Sequence, residues 1–294
     1  MRRREGWVGW LFTAPAFVHL LVFALLPIAY AFYLSLFKAN LLKDQKAFVG
    51  LNNYSFAFGE ETFWNALWNS AKYAVFSVPF GLAVALGVAL LVNQKLKGVT
   101  IFRTLYYIPA ITSGVALAML WIYVYLPEVG AINTMLGWVG IENKTDFLNN
   151  ASWAMPALIF MSAWTGLGPR MVLFLAGLVG ISPSLYEAAD LDGASRWKQF
   201  WAITLPMLAP TTFFVAVTST ISAFQVFTPV YMMTKGGPDG ATDVVGYHIY
   251  TEAWVNFHTG LAAAKSFVLL AAIVVVSLFQ FRLMRAQMRG YSAA

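Results

Sequence analysis

The feature that most constrains this chain is a succession of apolar runs about 20 residues long, the length needed to cross a bilayer as a helix. The cleanest is SFVLLAAIVVVSLFQF, from Ser266 to Phe281. The chain is 60% hydrophobic and 11% charged, where an average soluble domain is about 25% charged. These runs predict one all-α, polytopic membrane domain over residues 1–294, with six spans at 8–37, 67–93, 104–126, 152–180, 204–233 and 265–285. The first span carries Pro15 and Pro27 and is expected to tilt or kink around them. Its apolar segment, Trp7–Phe37, is much longer than the ~7–15-residue core of a signal peptide and reads as an uncleaved span. The fifth is interrupted by Pro206, Pro210 and Pro229, so part of it is not a straight helix.

Lys and Arg set the orientation, because cytoplasmic loops carry the excess. One side collects Arg2, Arg3, Arg4, Lys95, Lys97, Arg103, Arg196, Lys198, Arg282, Arg285 and Arg289; the other has Lys38, Lys43, Lys46, Lys144 and Lys235. The richer side is expected to be cytoplasmic, with both termini inside. The net charge of +6 then reflects topology, not nucleic-acid binding. No internal repeat or low-complexity linker separates a second domain.

Several chemistries have no support. Without cysteine there is no disulfide, thiol nucleophile or Cys zinc site. No phosphate-binding G-x-x-x-x-G-K-[ST] loop is present; KGGPDGATD (Lys235–Asp243) reads as an outer turn built by Gly, Pro and Asp. His19, His248 and His258 form no metal-binding spacing with a carboxylate. No nucleophile with an acid or base is evident at membrane depth, so neither catalytic residues, nor a metal, nor a cofactor bound by this chain is expected.

The loop between spans four and five is different. ISPSLYEAADLDGASRWKQFWAITLP groups Glu187, Asp190 and Asp192 between two apolar runs. Ser184 and Glu187 have capping-box spacing, and Pro183 suits a first-turn position. Gly193 fits a left-handed helix stop. Ser195 is placed to cap a second helix, which Pro206 interrupts. A solvated loop and a docking element both account for the charges; the Ala188–Ala189 flank and the glycine stop suit docking.

EAADLDGASRWKQFWAITLPMLAP resembles the cytoplasmic coupling motif of ATP-binding-cassette import permeases, matching at Glu187, Ala188, Ala189, Asp192, Gly193, Ala194, Ile203, Leu205 and Pro206. FVGLNNYSFAF, FWNALWNSAKY, FRTLYYIPAITSGVA and GAINTMLGWVGI extend the similarity over nearly the whole chain, to the carbohydrate-uptake, maltose-type subfamily. Within it the chain resembles the larger permease subunit without that subunit's extra N-terminal spans and large outer domain. The resemblance implies a type I importer permease of a prokaryotic plasma membrane and a coupling hairpin at 182–210. It also implies partners: a second homologous permease subunit, two ATPase subunits that bind ATP and Mg, an external substrate-binding protein meeting the loop Gly236–Gly260, and a sugar.

In span four, Ser162, Thr165, Gly166, Pro169 and Arg170 recur at helical spacing and are expected on one face, either for helix packing or for lining a pathway. The resemblance places sugar-contacting positions at Ser162, Thr165, Gly166, Pro169, Ser219 and Ala223, and also at Ala110 and Gly114; Ser222 and Ser113 are nearby polar candidates. Ala223 offers no hydrogen bond where the maltose carrier has one, which puts maltose recognition in doubt. Trp121, Tyr125, Trp164 and Tyr231 suit either ring stacking on sugars or ordinary packing. Arg170 is ionisable inside a span, a functional signal by default. Three roles are open to it: binding an acidic sugar or phosphate ester, pairing with a partner's carboxylate, or reaching toward the cytoplasmic interface. Two other readings stand beside a sugar importer. One is uptake of glycerol 3-phosphate or a related phosphodiester. The other is a self-sufficient secondary transporter or channel, which would want inverted repeats or carboxylates inside spans.

Overall fold

The computed structural model describes residues 2–40, 42, 46–94, 98–141 and 144–291, with side chains between Trp10 and Met284 within those ranges. Lys43, Lys95 and Lys97, and the side chains of Arg2, Arg3, Arg4, Arg285 and Arg289, on which part of the expected charge bias rests, lie outside the described residues.

The chain runs through α1 (Arg2–Leu20), a wide π-helical turn (Leu21–Leu25), α2 (Leu26–Ser35), β1 (Phe37–Ala39), β2 (Lys46–Phe48), α3 (Asn52–Gly59), α4 (Glu61–Val92), α5 (Val99–Ile111), α6 (Gly114–Val124), α7 (Ala131–Trp138), α8 (Ala151–Thr165), α9 (Leu167–Val179), α10 (Pro183–Leu191), α11 (Arg196–Gln199), α12 (Leu205–Met207), α13 (Ala209–Phe224), α14 (Val245–Tyr250) and α15 (Thr259–Tyr291). Three stretches are long and apolar enough to cross a membrane unbroken: Trp10–Ser35, Glu61–Val92 and Thr259–Met284. Three more are bent pairs, α5 with α6, α8 with α9, and Arg196–Met207 with α13, giving up to six spans. The first span does deform near Pro27, which opens α2 directly after the π-helical turn.

The bent pairs correct the expectation of continuous spans at 104–126 and 152–180; the third bend falls in the span at 204–233, where an interruption is expected. The helices of the three pairs turn by 102°, 51° and 64°. In the first, Thr112 is extended and ends α5 just after Pro109, and α6 restarts at Gly114. In the second, Gly166 is the hinge. In the third the break is at Leu208, ahead of Pro210, not at Pro206; Pro210 has no N–H to donate back and its ring crowds the carbonyl four residues earlier. The fifth span also ends early, at Phe224, and residues 230–234 form a separate π-helical turn.

The chain divides into two compact units, Met1–Trp64 with His248–Ala271, and Asn65–Tyr247 with Ala272–Ala294. In the first, β1 and β2 pair antiparallel, Lys38 opposite Ala47, a small ladder within an otherwise helical chain. Asn53 Nδ2 donates to the carbonyls of Ser35 (2.8 Å) and Phe37 (2.9 Å), closing the turn from α2 into β1. Gly260, at the start of α15, lies against the backbone of Phe37 so closely that a Cβ there would overlap the carbonyl oxygen.

The second unit is built on close helix approach. Ala85 and Ala89 of α4 are buried with Met171, Phe174 and Leu178 of α9 and Val215 of α13. Gly168 lets α9 approach α5, since a Cβ would sit 2.7 Å from the Tyr106 carbonyl. Such small residues allow the van der Waals packing that holds membrane helices together. Leu117, Trp121, Tyr125, Phe147 and Met161 form a second cluster, and the Tyr125 hydroxyl donates to the Ala157 carbonyl at 2.8 Å. Many large apolar side chains, among them Phe76, Leu91, Ile101, Leu105, Val179 and Val275, face outward. Lipid solvates such a surface, and helices pair their backbone groups internally where they face it.

The KGGPDGATD segment is a turn, as expected. Thr242 Oγ1 donates to the Gly237 carbonyl at 2.6 Å, and Asn69 of α4 donates to the carbonyls of Gly240 (2.8 Å) and Asp243 (3.0 Å).

Candidate functional site

The predicted coupling residues form an exposed helical hairpin. α10 starts at Pro183, so its cap is Ser182, whose hydroxyl bonds that of Ser184 at 2.8 Å. The Ser184–Glu187 capping box does not form, because a proline at the first helical position moves the cap one residue ahead of it. Gly193 ends the helix at φ +70°, with the Ala194 amide donating to the Ala189 carbonyl at 2.9 Å. Ser195 Oγ then accepts from the Lys198 amide, capping α11 as expected. Two hydrogen bonds invisible to motif reading staple the hairpin. The buried Gln199 donates to Asp190 Oδ1 at 2.5 Å, and the hydroxyls of Tyr186 and Thr204 meet at 2.9 Å. Glu187, Ala188, Asp192 and Gly193 are exposed, Ala189 and Ala194 partly so, and Leu191 is 91% exposed at the tip.

Part of the predicted pathway set converges in the second unit. Arg170 lies in the first turn of α9, where the helix dipole favours an anion. Its Nε donates to Ser219 Oγ of α13 at 3.2 Å, while Nη1 is buried with no hydrogen-bond partner. The guanidinium fits between glycines: a Cβ at Gly81 of α4 would collide with it, and one at Gly166 would lie 2.9 Å from Cζ. The hydroxyl of the buried Tyr73 of α4 bonds Ser162 Oγ of α8. Tyr73 and Gly81 were absent from the sequence-derived set.

The hinge at Gly166 also corrects the single-face expectation. Ser162 and Thr165 belong to α8, Pro169 and Arg170 to α9, and Pro169 is exposed. Ser113 and Ser222 are exposed and Ala223 is buried; among the described residues none of the three bonds Arg170. Trp121 and Tyr125 are consumed by the aromatic core, whereas Trp164 and Tyr231 remain 37% exposed.

A second polar cluster, in the first unit, escaped sequence reading. The fully buried Lys265 of α15 places Nζ 2.7 Å from both Glu60 and Glu252, 3.0 Å from His248 Nε2, and over the Phe63 ring. His258 Nδ1 meets Glu252 at 2.8 Å. Burial raises the Glu252 carboxyl, but hydrogen bonds from Lys265 and His258 outweigh it and hold the group below the ordinary carboxylate range. Glu60 is lowered in the same way, burial being overcome by Lys265 and Thr62. Ligand atoms of Glu60, His248 and Glu252 lie within 4.8 Å of one another, spacing that suits a cation and that the spacing of the histidines along the sequence does not show. The Lys265 ammonium already supplies the positive charge there. A cavity of ≈ 720 Å³ adjoins the cluster, lined in part by Lys38, Asn53, Phe56, Glu60 and His258.

An all-helical chain with up to six spans, three of them bent, and an exposed helix–glycine–helix hairpin defines the fold of an ABC importer permease. Residues 77–289 match the family model described as "Binding-protein-dependent transport system inner membrane component", and the chain belongs to that family. It is 37% identical over 284 residues to the probable ABC transporter permease protein YesP of Bacillus subtilis (strain 168), covering 95% of this chain and 91% of that one. It is 34% identical over 274 residues to the sn-glycerol-3-phosphate transport system permease protein UgpA of Rhizobium meliloti (strain 1021), covering 93% of each. A crystal structure of a bacterial ABC transporter involved in the import of the acidic polysaccharide alginate superposes with a TM-score of 0.82 at 25% identity, covering 96% of each chain. The protein is therefore a multi-pass permease subunit of the bacterial inner membrane, in a binding-protein-dependent ABC importer, and not itself an ATPase.

Proposed function

We propose that this subunit carries a sugar, a di- or oligosaccharide, across the inner membrane, and that residues 182–210 are the lever by which partner ATPases drive it. The observation that carries the lever is the hairpin's build: a short exposed helix, stopped at Gly193 and stapled through Gln199 and Tyr186, presenting Glu187, Ala188 and Leu191 outward. A leucine 91% exposed beside small and acidic residues suits insertion into another protein's cleft. ATP-driven closure of two ATPases would then move the permease between inward- and outward-facing states, each nucleotide state biasing one of two arrangements. The second permease, the two ATPases and the external binding protein are the partners this reading requires; ATP and Mg bind to the ATPases. A related alginate transporter has been crystallised in complex with an alginate pentasaccharide-bound periplasmic protein, which supports a binding protein for this chain too. Both termini are read as cytoplasmic from the Lys and Arg bias.

The pathway is read as lined by Ser162, Thr165, Gly166, Arg170 and Ser219, with Tyr73 added. Glycerol 3-phosphate is the second substrate reading, supported by the similarity to UgpA proteins. Reconstitution tests the whole assignment. Uptake into proteoliposomes is expected to need ATP, both permeases, the ATPase and the binding protein together; uptake by this chain alone would refute it. Glu187→Ala is expected to uncouple ATP hydrolysis from uptake without changing substrate delivery, and normal transport would remove the lever reading.

A further inference from the structure

We infer that the Arg170 guanidinium is the recognition point for an anionic group, a carboxylate or a phosphate ester, on the molecule this permease moves. The inference rests on the pathway reading above and adds the substrate's charge to it.

A cation within a span is costly unless an opposite charge or polar groups meet it. Here a single neutral hydroxyl, Ser219 Oγ, accepts from Nε, and among the described residues no carboxylate pairs with the side chain. Nη1 is buried and unpartnered. The guanidinium packs against its own unit. It is enclosed by its own chain, between Gly81 of α4, Gly166 at the hinge and Ser219 of α13, where the two glycines clear the volume the guanidinium fills. Part of its surface stays open, since Arg170 is only intermediate in exposure.

A guanidinium held by Nε leaves its remaining N–H groups for a ligand, and that planar fork matches the two oxygens of a carboxylate or phosphate. Ser162 of α8, partly exposed and bonded to the buried Tyr73, offers a hydroxyl to those of a sugar or glycerol unit. A neutral sugar would satisfy the donors but leave the charge without a counter-ion. A carboxylate from a partner permease would neutralise it too, but the enclosure by α4, α8, α9 and α13 of one unit points inward, to a ligand.

The test uses the assembled importer and the membrane-permeant arginine reagent phenylglyoxal, with modification of Arg170 followed by mass spectrometry. D-glucuronate is compared with D-glucose, and glycerol 3-phosphate with glycerol. A charged ligand at ten times its Kd is expected to slow labelling roughly tenfold, its neutral counterpart not at all. Protection by glucuronate alone identifies an acidic sugar, by glycerol phosphate alone a phosphate ester, and by both a general oxyanion point. Equal protection by the neutral compounds, no protection by either acid, or no labelling of Arg170 overturns the inference. Arg170→Gln is expected to co-purify normally with the second permease; loss of co-purification would assign the charge to a partner's carboxylate and overturn it too. Failure of ATP-dependent uptake in the reconstituted wild type, with protection intact, would strike the proposed transport function and leave the anion site standing.

Discussion

Lys265 and Arg170 are both cations drawn out of water within helices of a membrane protein, and their surroundings are opposites. Lys265 is fully buried and meets two carboxylates at 2.7 Å, with His248 beside it. Arg170 meets one serine hydroxyl and keeps a buried donor unpartnered. The first arrangement is paired within the chain: acids close in sequence to α3 and α14 are tied to the start of α15, each carboxylate meeting the Lys265 ammonium. The second is incomplete in both charge and hydrogen bonding. Buried charge that is paired within the chain does structural work, whereas buried charge left unpaired points to something from outside the chain.

The largest effect is expected from breaking the paired cluster. Lys265→Met leaves Glu60 and Glu252 facing each other without a cation. Removing one partner of a buried ion pair typically costs about 3–5 kcal/mol. Thermal unfolding of the purified permease should show a correspondingly large drop, and Lys265→Met with Glu252→Gln should recover part of it, because the two positions share one network. An unchanged melting temperature in the single variant would show that the cluster contributes nothing.

Acid should dissolve the same cluster by a smaller step. Both carboxyls titrate below their ordinary range in the folded protein. Their stabilisation is therefore fully present above the unfolded carboxylate pKa of about 4.3, and is lost as pH falls through the lower folded values. Stability that is flat from neutrality down to about pH 5 and then falls is the expected profile. In Lys265→Met the slope should reverse, since a buried carboxyl without a partner prefers its proton.

The contrast explains what could be read in advance. Six spans were legible because bilayer length and apolar composition are local properties of the chain. The Gly193 stop and the Ser195 cap were legible because each is set within a few residues. The hinge at Gly166 was not, since glycine is common in membrane helices and only the packing against α4 and α5 shows which one bends. The Ser184 capping box failed although its spacing was right, because Pro183 had already set the start of the helix. The Lys265 cluster joins residues 60, 248, 252 and 265, and no spacing rule connects the first with the last. Arg170 was conspicuous as a charge in an apolar run, but Tyr73 and Gly81, which shape its surroundings, lie about ninety residues earlier on another helix.

Within the hairpin the expected stability effect is smaller. Gly193 sits at φ +70° with open space where a Cβ would be, so Gly193→Ala meets backbone strain alone, about 1 kcal/mol. A small shift in melting temperature with a large loss of ATP-coupled uptake would separate the hairpin, built for a partner, from the Lys265 cluster, built for the fold. A large loss of stability would place it with the cluster.

The smallest change in stability is expected at Arg170, and it sharpens the contrast most. Arg170→Met removes an unbalanced cation and fills similar volume, and replacing buried charge with apolar side chains is often neutral or stabilising. Ser219 loses a donor but, lying mid-helix in α13, can turn its hydroxyl to the carbonyl of the preceding turn. The unfolding free energy should therefore stay within about 1 kcal/mol of wild type or rise, while that of Lys265→Met falls steeply. A steep fall in Arg170→Met would mean that a counter-charge sits within reach in the folded chain, and the two cations would then belong to one structural class. A rise, together with lost protection by anions, would show stability being given up at Arg170 for recognition, which is the pattern of a site held open for a ligand.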